Sequence, residues 1–340
     1  MKRRIALMLA MVMIFSLAVG CAKDSGDGGA GTDGGDGLKI GVLIYKYDDT
    51  YISTVRQALE KEGKDMNVEL LMNDAKGDQA QQNDQLDILI EKDVDALIVN
   101  IVDIGAAESV IEKAKAADIP VVFFNREPDA AVIKSYDKAR FVGTKPEEAG
   151  IIQGEIMAEI WEAGEFDRNG DDTIQYVMLK GDADNPEAIA RTEYSIKTLN
   201  DKGIKTEELG LQVANWDTDK ANQAVEAWLA KDGDKIEYVI ANNDGMASGA
   251  IAALQNAGYN KGEADKYIPV FGVDATDEAK DLIEKEFMSA TVKQDGEAMA
   301  KAVMAMAMNA GKDKEFVDGT DYKYDETEVS VRIPYQAYQK

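Results

Sequence analysis

The sequence predicts an α/β protein with two doubly wound, parallel-sheet lobes that are joined by a hinge and leave a ligand cleft between them. The first observation is size, because 340 residues of which 45% are apolar can fill more than one core. The second is that short apolar runs alternate with stretches of helical period, as in parallel sheets covered by helices on both faces. The third is that this alternation starts again at Thr173, which indicates a second sheet.

The first lobe is predicted from the apolar runs that follow Gly37. Strands are expected at residues 38–44, 67–72, 95–101 and 120–125, helices are expected at 53–63 and 83–92, and a further helix should precede the last strand. The runs ALIV and VVFF are apolar throughout, which is typical of strands buried on both faces.

The second lobe is predicted in the same way. Strands are expected at residues 173–180, 208–213, 235–242, 268–274 and 288–294, and helices at about 187–199, 221–231 and 246–257, with one more before the last strand. The first lobe should therefore comprise residues 38–125 and 295–327, and the second 126–294 and 328–340. Glu127, Pro128 and the segment near Gln294 are the expected crossings between the lobes.

The N-terminus begins MKRRIALMLAMVMIFSLAVGC, a basic start followed by a short apolar segment. This pattern is typical of a secretory signal and resembles a bacterial lipoprotein signal. Residues 1–20 are therefore predicted to be a signal peptide, Cys21 the lipidation site and residues 21–37 a flexible tether rich in glycine and aspartate. The protein would be lipid-anchored to the outer face of the cytoplasmic membrane, on the periplasmic side. The alternative is an uncleaved anchor helix, which would also leave the rest of the chain exported.

Composition excludes several classes of function. The formal charge of -26 repels nucleic-acid phosphates and anionic membrane surfaces, so no nucleic-acid partner is expected, and membrane contact is expected only through the lipid anchor. The chain has no histidine, which removes the usual general base and the common zinc ligand. Its single cysteine excludes an internal disulfide.

Polar side chains stand where the predicted strands end. Ligands bind beyond the carboxyl ends of strands in open parallel sheets, and amide and carboxylate groups suit a ligand with many hydroxyls. Tyr51 and Trp216 follow two of these ends and would stack on a pyranose. The alternative is that each polar residue only caps the next helix and that Tyr51 packs in the core. The strand-end residues are Asp48, Asp49, Asn100, Asn125, Arg126, Asn243, Asp244 and Asp274.

The stretch FDRNGDDTIQ has the spacing of a calcium loop. Asp167, Asn169 and Asp171 occupy its first, third and fifth positions, with Gln175 at the ninth. The sixth position, however, is not the glycine of an EF-hand, and the twelfth is Met178. The stretch is therefore either an acidic turn without an ion or a site whose last ligand comes from elsewhere in the chain.

A family resemblance joins these observations. The stretches IGVLIYKYDD, QQNDQLDILI, NWDT, VIANNDGM and IPVFGVDA closely resemble the bacterial galactose/glucose-binding proteins of the type I periplasmic binding protein family. The resemblance extends from about Lys39 to Tyr335. It implies a monomer that closes its lobes around a monosaccharide of the D-galactose or D-glucose type, delivers it to the permease of an ABC importer and performs no covalent chemistry.

The resemblance also implies which residues contact the sugar. Some positions match the family in residue type, and others differ. This chain has Tyr51 where the family has phenylalanine, Asn185 where it has histidine, Glu187 where it has aspartate and Gln294 where it has asparagine. The matching sugar contacts are Asp49, Asn100, Arg191, Trp216, Asn243 and Asp274.

The family resemblance further implies a structural Ca²⁺, with a distant glutamate completing the loop. Its ligands would be Asp167, Asn169, Asp171, the carbonyl of Thr173, Gln175 and Glu237.

Two other functions remain open from the sequence. One is a sugar sensor that signals to a chemotaxis receptor or a membrane kinase. The other is a glycosidase that uses Asp49 together with Asp274 or Glu187 as a carboxylate pair.

Overall fold

The computed structural model describes residues 37–164 and 166–340, and Gly37–Lys340 form one compact unit. The predicted signal peptide, Cys21 and all of the predicted tether except Gly37 lie outside the described residues. Within the described ranges, no helix is long and apolar enough to cross a membrane.

The first lobe contains a six-stranded sheet. Its strands are β1 (Lys39–Ile44), β2 (Glu69–Asp74), β3 (Ala96–Val99), β4 (Val121–Phe124), β5 (Ala139–Gly143) and β11 (Ser330–Arg332). They lie in the order β11-β5-β4-β3-β1-β2 and all pair in parallel. One face is covered by α1 (Thr50–Asp65) and α10 (Gly296–Ala310), the other by α2 (Gln79–Glu91), α3 (Ala107–Ala116) and α4 (Ala130–Lys134).

The second lobe repeats this layout. Its strands are β6 (Thr173–Lys180), β7 (Lys205–Val213), β8 (Tyr238–Ala241), β9 (Val270–Phe271), β10 (Ala290–Lys293) and β12 (Gln336–Gln339). They lie in the order β12-β10-β9-β8-β6-β7, and only β12 is antiparallel. The faces are covered by α5 (Pro146–Glu162) and α6 (Pro186–Asp201) on one side and by α7 (Thr218–Asp232), α8 (Asp244–Asn256) and α9 (Asp277–Glu284) on the other.

Buried strands and capped helices explain why these elements form. Every residue of β3 and β4 is buried, as the apolar runs predict for strands covered on both faces. Helix starts are set by side chains that accept backbone N–H groups. Asp49 does so for α1, Asp217 for α7 and Asp295 for α10.

The crossings between the lobes differ in part from the prediction. The crossing near Gln294 is confirmed, because it lies between β10 of the second sheet and α10 of the first lobe. The crossing at Glu127 and Pro128 was wrong, because α4 and β5 follow these residues and complete the first lobe. The chain instead crosses between β5 and α5, and again between β11 and β12.

The predicted lobe boundaries therefore change at two places. Residues 126–143 belong to the first lobe instead of the second, and so do residues 328–332, because β11 pairs with β5. Residues 126–143 belong to the first lobe because β5, a short strand that the apolar runs did not predict, pairs with β4, and residues 328–332 belong to it because β11 pairs with β5.

Candidate functional site

A small cavity lies between the two lobes, lined by residues of both. It is bounded by residues that follow the carboxyl ends of strands in both sheets, as expected for parallel sheets. The lining residues are Tyr45, Asp49, Tyr51, Ile52, Asn125, Arg126, Asn185, Glu187, Arg191, Trp216, Asn243, Asp274 and Gln294. All the predicted sugar contacts are among them except Asn100.

Asn100 lies behind the cavity wall. Its Nδ2 donates to the carbonyl of Phe124 at 3.2 Å and to Oδ1 of Asn125 at 3.3 Å, while its Oδ1 accepts from the backbone N–H of Tyr45 at 3.4 Å. Asn100 thus positions two residues that do line the cavity.

Capping and cavity lining turn out to be compatible roles. Asp49 Oδ1 accepts from the N–H of Ile52 at 2.7 Å, and Asn243 Oδ1 accepts from the N–H of Met246 at 2.9 Å. Asn185 caps α6 through the N–H of Glu187 at 2.9 Å. These side chains therefore cap helices, but they do not only cap them, because they also line the cavity.

The backbone is strained where it carries cavity residues. Asp274 has φ 129° and Trp216 has φ 62°, in the left-handed region that residues other than glycine rarely adopt. A Cβ on Gly181 would come within 2.2 Å of the indole of Trp216, so this glycine is needed for the close approach of the ring. Strain of this kind clusters at functional sites, and here it turns an aromatic ring and a carboxylate toward the cavity.

Arg191 is the most heavily bonded residue of the site. Its Nη1 donates to the carbonyl of Asn242 at 2.8 Å, and its Nη2 donates to Gln294 Oε1 at 3.0 Å and to the Tyr335 hydroxyl at 2.7 Å. Its Nε donates to Glu187 Oε2 at 3.3 Å. Burial alone would lower the pKa of Arg191, but Tyr335, Glu187 and Asp274 raise it, so the guanidinium stays charged.

Glu187 lines the cavity but has its oxygens occupied by protein groups. The hydroxyl of Thr144 donates to Oε1, and the hydroxyl of Tyr335 donates to Oε2 at 2.8 Å. Thr144 lies in the crossing after β5, Tyr335 in the crossing before β12, and Gln294, which Arg191 contacts, in the crossing after β10. Glu187 and Arg191 together therefore connect α6 with each crossing segment.

Several buried polar atoms of the cavity residues have no hydrogen-bond partner. They come from both lobes and are Tyr51 Oη, Arg126 Nε, Asp274 Oδ2 and Gln294 Nε2. An unsatisfied buried polar group costs about 1 to 3 kcal/mol, so such a cluster indicates a cavity built for a polar ligand. Burial raises the pKa of Asp274 well above its usual range, partly offset by Arg191.

Some cavity residues are not among the sugar contacts that the family resemblance implied, although Asn125 and Arg126 were expected as strand-end residues. Tyr45, Asn125 and Arg126 line the cavity. Arg126 Nη1 lies 3.0 Å from Asp182 Oδ2, an ion pair that joins the first lobe to the second, and its guanidinium stacks 4.7 Å from the centre of the Tyr45 ring. The signal for Asn125 and Arg126 was present, because both follow the end of β4.

The predicted calcium loop lies between α5 and β6. Asp167 accepts from the backbone N–H groups of residues 170, 171 and 172, while Asp171 Oδ2 lies 3.0 Å from Asn169 Nδ2 and 2.9 Å from Gln175 Nε2. Glu237 accepts from the N–H of Gln175 at 3.1 Å. The residues named from the sequence therefore come together in space.

The loop offers a mixed set of donors. In the described part of the chain, no three Asp, Glu, Cys or His side chains are gathered closely enough to hold a metal ion. The carboxylates here alternate with the amide oxygens of Asn169 and Gln175, which are also ligand types that Ca²⁺ takes. Burial raises the pKa of Glu237, backbone N–H groups lower it, and Asp167 and Asp171 raise it further, so a nearby cation would relieve repulsion.

Comparison with known proteins agrees with this fold. The periplasmic binding protein domain family matches residues 40–315. The D-galactose/methyl-galactoside binding periplasmic protein MglB of Haemophilus influenzae is 45% identical over 305 residues, which are 89% of this chain and 89% of that protein.

Solved structures show the same architecture. An ABC transporter solute binding protein from Bacillus halodurans with bound myo-inositol has a TM-score of 0.73 and 28% identity, over 90% of this chain and 96% of that one. An ABC transporter periplasmic solute binding protein from Actinobacillus succinogenes with bound D-allose has a TM-score of 0.76 over 89% of this chain and 98% of that one, and its 21% identity supports the fold alone. With the family matched over residues 40–315 and 89% of the chain aligned to a relative of 45% identity, this chain belongs to the periplasmic binding protein family.

Proposed function

We propose that this protein is the sugar-binding component of an ABC importer, and that it captures a monosaccharide of the D-galactose or D-glucose type by closing its lobes. The observation that carries this proposal is the set of unpartnered buried polar atoms that both lobes present to one small cavity. Its relatives include a galactose-binding protein and a solute-binding protein with bound myo-inositol, which supports a ring-shaped polyol as the ligand.

Different cavity residues would contact different parts of a pyranose. Trp216 offers a ring face to the apolar C–H groups of the sugar, and Asp274 offers an acceptor for hydroxyls. Arg191 has five N–H groups, of which four are bonded within the protein. The remaining N–H on Nη1, on the side of Asp274 at 3.9 Å, is left for a ring or hydroxyl oxygen.

Titration tests the proposal directly. Calorimetry with glucose, galactose and xylose should give saturable heat with at least one sugar, and the fluorescence of Trp216 should change with it. In a Trp161→Phe, Trp228→Phe variant, whose replaced residues lie outside the cavity lining, the fluorescence response should persist. No heat and no fluorescence response with any of the sugars would overturn the assignment.

We propose binding without catalysis. The relatives are binding proteins, and the carboxylates of Glu187 and Asp49 are held by protein hydrogen bonds, which leaves them poorly placed for acid-base work on a glycosidic bond. An aryl glycoside should be recovered intact after long incubation with the protein. Steady release of the aryl alcohol that Glu187→Gln abolishes would show a glycosidase instead.

We further propose a structural Ca²⁺ in the loop before β6. The ion would neutralise the loop carboxylates and fix the loop against the start of β8. The residues that would hold it are Asp167, Asn169, Asp171, the carbonyl of Thr173, Gln175 and Glu237.

Family membership implies export to the periplasm, and we propose in addition a lipid anchor on Cys21. The support is the position of the only cysteine, directly after Gly20 at the end of an apolar run. Such an anchor would keep a monomeric binding protein at the outer face of the cytoplasmic membrane, close to the importer permease that is its proposed partner. We propose a chemotaxis or sensor receptor as a second membrane-protein partner.

A further inference from the structure

Unpartnered polar atoms mark one wall of the cavity. Tyr51 Oη, Asp274 Oδ2 and Gln294 Nε2 are each buried without a hydrogen-bond partner. Their residues are at most 5% exposed, so bulk solvent does not compensate these atoms. Because an orphaned buried polar group is costly, their grouping calls for a ligand that bonds to them.

These atoms belong to neighbouring residues. The backbone N–H of Gln294 donates to the carbonyl of Asp274 at 3.2 Å. Tyr51 and Asp274 both line the cavity, and after burial the Asp274 carboxylate is the main group that raises the pKa of Tyr51. All three residues line not only the cavity but also a wide groove between α1 and the N-terminal ends of α9 and α10, so they share the wall that separates the two.

The protein fixes which of these atoms donate. Arg191 has only donors, and its Nη2 contacts Gln294 Oε1 at 3.0 Å, so the amide of Gln294 must direct its NH₂ group elsewhere. Arg191 also lies nearer to Asp274 Oδ1, at 3.9 Å, which leaves Oδ2 as a free acceptor. Burial and the nearby Asp274 raise the pKa of Tyr51 well above its usual value, so its hydroxyl stays neutral and both donates and accepts.

A neutral hydroxyl without a partner can both donate to and accept from a hydroxyl of a ligand in the cavity. We propose that the Tyr51 hydroxyl, on the same wall as Asp274 and Gln294, bonds to one ligand hydroxyl and determines specificity for it. This inference rests on the proposed function, since it assumes that a sugar occupies the cavity. It assigns to Tyr51 a polar role besides stacking its ring on the ligand.

The test compares Tyr51→Phe with the wild type on the tightest-binding hexose and on its series of monodeoxy analogues. The variant keeps the aromatic ring and loses only the hydroxyl. It should bind the parent sugar about five- to tenfold more weakly, the usual cost of one lost hydrogen bond. With one analogue of the series, wild type and variant should bind equally, because the hydroxyl that Tyr51 contacts is already missing.

Tyr136→Phe is the matched control. Tyr136 is 6% exposed and its hydroxyl is also buried without a partner, but it lies in the first-lobe core outside the cavity lining. This variant should bind every sugar as the wild type does. Without ligand, the melting temperature of neither variant should be lower than that of the wild type. With saturating sugar, the melting temperature of Tyr51→Phe should rise less than that of the wild type.

The outcomes separate the two proposals. If no sugar binds to the wild type, the proposed function fails. If sugars bind but Tyr51→Phe matches the wild type on the parent sugar, or loses the same factor with every analogue, the specificity role of the Tyr51 hydroxyl is wrong and the proposed function stands.

Discussion

Replacing Asp182 with asparagine should speed ligand release, because it removes the charge that holds the two lobes together at one side of the cavity. Asp182 follows β6 in the second lobe, and its Oδ2 lies 3.0 Å from Arg126 Nη1 of the first lobe. Asp182 does not line the cavity, so the substitution leaves the ligand contacts in place. What it changes is the free-energy difference between closed and open lobes.

The magnitude follows from the burial of the ion pair. The side chains of Arg126 and Asp182 are 10% and 32% exposed, so solvent screens the pair in part. Exposed pairs contribute about 0.2 to 1 kcal/mol and charged hydrogen bonds somewhat more, which gives about 1 kcal/mol here. That corresponds to an affinity about fivefold weaker, and it should be expressed in the dissociation rate, as most affinity changes are.

Stopped-flow fluorescence with a bound sugar measures both rates. The dissociation rate of Asp182→Asn should rise about fivefold with the association rate nearly unchanged, and the difference from wild type should shrink at high salt. Glu127→Gln is the control, because Glu127 is next to Arg126 but pairs with Arg332 inside the first lobe. Equal dissociation rates for Asp182→Asn and wild type, or an equal rise in Glu127→Gln, would refute a role for the interlobe pair.

The remaining predictions concern the metal loop, a buried carboxyl and the N-terminus. Chelation should lower the melting temperature, because an ion bound only to the folded state adds stability. Glu237→Gln should melt at the temperature of the chelated wild type. Identical melting temperatures with and without chelator, together with no calcium in the purified protein, would exclude the ion. Burial raises the pKa of Asp244 to about 7, against hydrogen bonds from Thr291 and Thr276 that lower it. Because the folded-state pKa lies above the unfolded value of about 4, this carboxyl should contribute stability at low pH that is lost as pH rises from about 4 to about 7. The free energy of unfolding of Asp244→Asn, measured with denaturant, should lack that decline. A difference in this free energy between wild type and variant that stays constant with pH would contradict the prediction. Cys21→Ser should release the protein from membranes, and an intact mass of the mature wild type with no acyl group would refute lipidation.

Local pattern was enough to predict most of the strands and many of the site residues. Apolar runs located β1, β3 and β6 because these strands are buried on both faces, and the rule that ligands bind at strand ends led to Asp49 and Asp274. The lobe boundary could not be predicted in this way. It depends on the pairing of β5 with β4 and of β11 with β5, and local periodicity does not specify which strands pair.

The supporting residues of the site were missed for a related reason. Thr144 and Tyr335 bond to Glu187 across the crossings between lobes, and they follow β5 and β11, strands that the apolar runs did not predict. The predicted sugar contact at Asn100 instead reaches the cavity through Asn125 and Tyr45. Such roles depend on which side chains meet in space, and a strand-end rule does not specify that.

The bonds from Glu187 and Arg191 to the crossing segments have a mechanical consequence. In a rotation of one lobe against the other, displacement grows with distance from the axis, and the axis must run through the segments that join the lobes. A ligand beside Arg191 therefore lies close to the rotation axis. A change of a fraction of an ångström at the ligand becomes a much larger excursion at the outer edges of the lobes, which are the surfaces that a permease would contact.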